Sequence, residues 1–116
     1  MTLQEIMETL HARLLVNAAD EEVVVNQACA SDLMSDVLTF ATPGAILLTG
    51  LTTPQTIYTA EMADIRVICY VRGKNPPLET LKLAERKNMI LLATDLPLYE
   101  SCGRLYQRGL RGCWGV

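Results

Sequence analysis

Apolar residues gather in four short β-branched or aliphatic stretches, each running into a small or polar corner and then a helix-like segment. Val23–Val25 leads to Cys29–Asp32, Ile46–Leu48 to Thr49–Pro54, Val67–Val71 to Arg72–Pro77, and Met89–Ala93 to Thr94–Pro97. The last three begin at 46, 67 and 89, a recurrence of about 21 to 22 residues, the length of one strand, one turn and a three-turn helix. This pattern predicts an α/β fold in three layers, a mostly parallel sheet of about five strands flanked by helices. Ligands of such sheets gather at the carboxyl ends of the strands, so the corners are where chemistry is to be sought.

Element by element, Thr2 and Glu5 stand in capping-box spacing ahead of Leu3, Ile6, Met7, Leu10 and Leu14, predicting a helix over 3–13. A short strand at Leu14–Val16 and a polar connection over 17–22 follow. Glu22–Ala28 reads as a strand, with Ser31 capping a helix through about Phe40 that presents Leu33, Met34, Val37 and Leu38. Thr42-Pro43-Gly44 is a turn by its residue types. Ala45–Thr49 is almost wholly apolar, as a central parallel strand is. Thr53 before Pro54 reads as an N-cap with proline at the first helical position, opening a helix to Met62 or Ala63. A strand over Arg66–Val71, a helix from Asn75 or Pro76 to Lys87 or Asn88, a strand over 89–93 and a helix over about 97–109 capped by Asp95 complete the pattern. The tail, Arg108–Val116, holds three glycines, Cys113 and Trp114.

Composition bounds the problem further. At 116 residues the chain is read as one domain, 1–116. Half of its residues are hydrophobic, and about 56% are apolar once the seven glycines are added, above the roughly 45–50% of ordinary soluble domains. The excess points to a subunit interface, and a homodimer is the common solution. Candidate surfaces are the helix through Tyr58 and Met62 and the helix through Leu33 and Met34. No apolar run approaches a membrane span and the first segment lacks a signal-peptide core, so a cytoplasmic protein without membrane contact is expected. A net charge of −3, with basic residues scattered except for Arg104, Arg108 and Arg111, gives no footprint for nucleic acid. Cys29, Cys69, Cys102 and Cys113 show no metal-ligand spacing, and His11 stands alone, so neither metal nor cofactor is expected.

Catalytic patterns fail one by one. Cys29 could open a phosphate loop, but the phosphatase arginine six residues on is replaced by Ser35, and Ala30-Ser31-Asp32 lacks the glycine of phosphotransfer loops. Asp32, Asp36, Asp95 and Lys74 arrive in the wrong order for a phospho-acceptor receiver domain. Asp32 and Asp95 read instead as helix-start residues. Neither a Walker loop nor a dinucleotide fingerprint is present, and His11 on an amphipathic helix cannot complete a hydrolytic triad. One cluster survives. Thr49, Gly50, Thr52, Thr53, Arg72, Gly73, Lys74 and Thr94 lie at three successive strand ends, offering hydroxyls, helix-start amides and two cations suited to an anion such as a nucleotide phosphate.

Taken together, the segments Ala30–Leu38, Val71–Pro77 with Glu79-Thr80, and Leu92–Asp95 with Gly103–Tyr106 resemble the DRTGG domain family over about residues 2–110. The naming motif itself is replaced here by Thr49-Gly50-Leu51-Thr52-Thr53. The resemblance implies an accessory domain of the kind found in HPr kinase/phosphorylase-like proteins, beside CBS domains in regulated pyrophosphatases, and inside long phosphotransacetylases. Stand-alone copies occur near hydrogenase genes, implying a metabolic or redox enzyme as partner. The expected function is therefore a non-catalytic regulatory or scaffold domain that self-associates. The alternative is a sensor that binds a nucleotide or other phosphorylated metabolite at the strand ends, and Cys29 or Asp32 chemistry is the enzymatic exception.

Overall fold

A computed structural model of the protein describes residues 1–113; Trp114 and the rest of the tail lie outside them. Among the described residues five helices, α1 Leu3–Leu10, α2 Met34–Phe40, α3 Gln55–Met62, α4 Leu78–Arg86 and α5 Leu98–Gln107, surround one six-stranded sheet. Its strands are β1 Arg13–Asn17, β2 Gln27–Ala30, β3 Ala45–Thr49, β4 Val67–Tyr70, β5 Ile90–Ala93 and β6 Arg111–Gly112, in the order β1-β5-β4-β3-β2-β6. All neighbours are parallel except β1, which runs antiparallel to β5. The three-layer α/β expectation holds, with one strand more than the five expected.

Side-chain alternation along the central strands sorts the core into two layers. Leu47, Ile68, Tyr70 and Leu91 face α2, α3 and α4 through Met34, Val37, Ile57, Ala60, Leu83 and Ala84. Ile46, Leu48, Val67, Cys69, Ile90 and Leu92 face α1 and α5 through Ile6, Leu10 and Leu105. All residues of β3, β4 and β5 are buried, and each large aliphatic side chain so removed from water stabilises the fold by roughly 1.5–3 kcal/mol.

Several boundaries differ from the sequence expectation, each for a physical reason. The capping box at Thr2 and Glu5 forms in both directions, but α1 stops at Leu10 because His11 enters the left-handed region at φ 51°. The predicted strand 22–28 slides to Gln27–Ala30. Val24 and Val25 are extended, yet they pair with the start of the chain: Thr2 bridges Val24, and Met1 and Val25 exchange hydrogen bonds of 2.7 and 2.8 Å. Ser31 does not cap α2; its hydroxyl accepts from Leu33 N at 3.0 Å, and the helix begins three residues later. In α4 the start moves from 75–76 to Leu78, because Pro76-Pro77 keeps the preceding backbone extended. Asp95 does not cap α5, which starts after an extended Pro97. Asn88 does adopt the left-handed conformation, φ 58°, expected of a helix-ending residue before β5. Of the proposed dimer residues, Tyr58, Met62 and Leu33 are exposed, but Met34 is buried in the core.

Candidate functional site at the carboxyl edge of the sheet

The parallel register brings the ends of β3, β4 and β5 level, with Thr49 opposite Tyr70 and Tyr70 opposite Ala93. The corners after these strands therefore meet at one edge, as the sequence pattern requires. Because β1 is antiparallel, its first residue, Arg13, also lies there, opposite Ala93.

Two of the expected ligand groups face inward. Thr49 and Thr94 are fully buried. The Thr49 hydroxyl donates to Asp32 Oδ1 at 2.9 Å and accepts from Leu51 N at 3.1 Å. Thr94 donates to the Leu10 carbonyl at 2.6 Å and accepts from Leu96 N at 3.2 Å. The corner amides are also engaged. Gly50 N donates to Asp32 Oδ1 at 2.7 Å, Arg72 N to Leu96 O at 2.8 Å, and Gly73 N to Thr94 O at 3.0 Å. An open cradle of backbone N–H groups, of the phosphate-loop kind, is thus not what this edge presents.

What it presents is a set of side chains on a rigid floor. Thr52 and Thr53 are held by their carbonyls: Thr80 Oγ1 donates to Thr52 O and Thr56 Oγ1 to Thr53 O, each at 2.8 Å. Thr53 therefore opens α3 through its carbonyl rather than as the expected side-chain cap. The Thr56 hydroxyl also meets Tyr70 Oη at 2.9 Å, in a burial that pushes the phenol up to about 12. Arg72 and Gly73 are both left-handed, φ 61° and 69°. Gly50 allows close approach: a Cβ there would lie 3.4 Å from Arg72 Nη2 and 3.5 Å from Asp32 Oδ2. The guanidinium and the carboxylate thus converge over one glycine. Among the described residues neither Arg72 nor Lys74 forms an ion pair, and both are exposed.

Sequence reasoning missed Asp32 as part of this corner, and Arg13 altogether. The sequence places Asp32 at a helix start, but Leu33 precedes the helix and the carboxylate turns to the β3 corner instead. Arg13 binds Asp95 at 3.2 Å and approaches Asn75 Oδ1 at 3.5 Å, filling the β5 side of the edge. No local pattern announces Arg13, since its position depends on one antiparallel strand.

The enzymatic candidate Cys29 lies within β2, not at its end. Burial, with Cys113 and Asp36 nearby, pushes its thiol up to about 11, the direction opposite to an activated nucleophile. Burial likewise pushes Cys69 up to about 12 and raises Cys102. Among the described residues no group of three His, Cys, Asp or Glu side chains is placed to hold a metal, and no helix is long and apolar enough to cross a membrane.

No family model matches the chain, and no curated protein matches it. Among solved structures it is similar to the regulatory region of a Clostridium perfringens pyrophosphatase, comprising CBS and DRTGG domains and complexed with its activator, diadenosine tetraphosphate. The two share 17% identity at a TM-score of 0.78, over 91% of this chain and 46% of the other. The chain thus spans about half the length of that regulatory region, and the likeness is one of fold.

Proposed function

We propose that residues 1–116 form a non-catalytic regulatory module that binds a phosphate-bearing small molecule at the edge formed by Gly50, Thr52, Thr53, Arg72, Gly73 and Lys74, with Thr49 and Thr94 bracing it from beneath. One observation carries this reading. The corner already seats an anion, the Asp32 carboxylate, on Gly50 N and the Thr49 hydroxyl, while the exposed Arg72 guanidinium beside it, and exposed Lys74 two residues on, are in no ion pair among the described residues. The fold supports it too, since a structural neighbour is a regulatory region bound to a nucleotide activator.

Arg72 and Asp32 then act with opposite signs. A charge-assisted hydrogen bond is worth roughly 1.5–3 kcal/mol, so an Arg72→Ala, Lys74→Ala double variant should bind about tenfold more weakly or worse. Asp32→Asn keeps an acceptor for Gly50 N and removes a repelling charge, so it should bind several-fold more tightly. Calorimetric titration of adenine and uridine nucleotides and of diadenosine tetraphosphate at low salt checks both. Binding that ignores both changes would put the ligand elsewhere, and no binding by the unaltered protein would overturn the reading.

Self-association is the second reading, favoured by the exposure of Tyr58 and Met62 on α3 and of Tyr99 and Tyr106 on α5. Together with a metabolic or redox enzyme as partner, it would make the module a scaffold. Light scattering across micromolar concentrations should give twice the chain mass; a monomer throughout would remove this reading.

A further inference from the structure

Cys29 and Cys113 come together only through the fold. In the β2–β6 pair Gln27 stands opposite Arg111 and Ala28 opposite Gly112, and Cys113 N donates to Ala28 O at 3.2 Å. Cys113 directly follows the paired Gly112, as Cys29 follows its partner Ala28. Both pack against the core layer of α2, α3 and α4, whereas Cys102 packs against the opposite layer. Both also line one shallow groove with Ser31, Asp36 and Phe40. Thr42 Oγ1 lies 3.4 Å from Cys113 Sγ. Neighbouring strands are about 4.7–4.9 Å apart, within the roughly 4.4–6.8 Å between Cα atoms that a disulfide spans. Because β6 ends at Gly112 and the chain turns at Cys113, that side chain is not held in a strand pleat and can close the remaining gap between Cβ atoms.

We propose that Cys29 and Cys113 form a redox-active dithiol, a modification site that closes to an intrachain disulfide by exchange with a low-molecular-weight disulfide such as oxidised glutathione. The Cys113 thiolate attacks one sulfur of the reagent, whose S–S bond breaks and releases one thiol. Cys29, losing its proton to solvent, then attacks the Cys113 sulfur of the mixed disulfide and expels the second thiol. The chain loses two protons and two electrons, and the reagent is reduced to two thiols. The order follows from Cys29: its thiol, pushed up to about 11, is a poor first attacker but suffices beside a tethered partner. The bond staples β6, joined to β2 by two register pairs, onto the sheet.

The test treats the reduced full chain with excess oxidised glutathione at mildly alkaline pH, followed by alkylation, proteolysis and peptide mass mapping, with released thiol counted. The expected product joins the Cys29 and Cys113 peptides with loss of two hydrogens, and two thiols are released per chain. Cys29→Ser should release one and keep glutathione on Cys113, while Cys102→Ser should still release two. A stable mixed disulfide on Cys113 of the unaltered protein with Cys29 still alkylatable, or Cys113 bridged to Cys102 or to another chain, would overturn the proposal.

Discussion

Thr49-Gly50-Leu51 and Thr94-Asp95-Leu96 flank β4 with the same signature and the same turn, in which the threonine hydroxyl accepts the leucine N–H two residues on. They differ in what each hydroxyl donates to. Thr94 reaches the carbonyl of Leu10, the last residue of α1, whose side chain is fully buried; it supplies a partner that a helix end lacks on its own. Thr49 reaches the carboxylate of Asp32, an exposed residue that water or a ligand can also serve. One turn is a clamp between α1 and the sheet, and the other is the floor of a surface corner. A local motif therefore reports a turn, and its role is decided by an acceptor far away in sequence.

The largest expected effect comes from removing the clamp. Thr94→Val keeps shape but strands the Leu10 carbonyl and the Leu96 amide, and should cost about 2–3 kcal/mol in urea unfolding. Thr49→Val strands the Leu51 amide in the same way but should cost about 1 kcal/mol less, because the Asp32 carboxylate can turn to solvent. Equal losses would break the comparison and make the Asp32 corner as structural as the Leu10 clamp. A wider gap with unchanged unfolding cooperativity would sharpen it.

How far the sequence carries the argument can be seen at these positions. Ala45–Thr49 was legible as a buried central strand because an uninterrupted apolar run bounded by turn residues has few other uses. Val23–Val25 carries as strong a strand pattern and was misread, because extended backbone does not say with what it pairs; here it pairs with the chain start. That the corners holding Gly50 and Arg72 share one edge was legible from the recurrence of the strand ends. Asp32 was legible only as an acid near a helix start, since its partner is the amide of Gly50, just past the end of the next strand. The tail strand β6, two residues long, gave no periodicity to detect.

The smallest expected effect on stability is at Arg72, between the two turns. Its left-handed backbone, φ 61°, costs an L-residue roughly 1–2 kcal/mol that glycine avoids. Glycine in turn frees the unfolded chain, offsetting roughly 0.5–1 kcal/mol of that gain. Arg72→Gly should therefore unfold within about 1 kcal/mol of the parent, on the stabilising side, while losing the anion contact that the Arg72 guanidinium supplies. That combination would assign the guanidinium to the ligand and the backbone turn to the fold. A loss of stability instead would mean that the guanidinium over Gly50 secures the loop against Asp32. The β3 corner would then be a second clamp, differing from the Thr94 turn only in using charge.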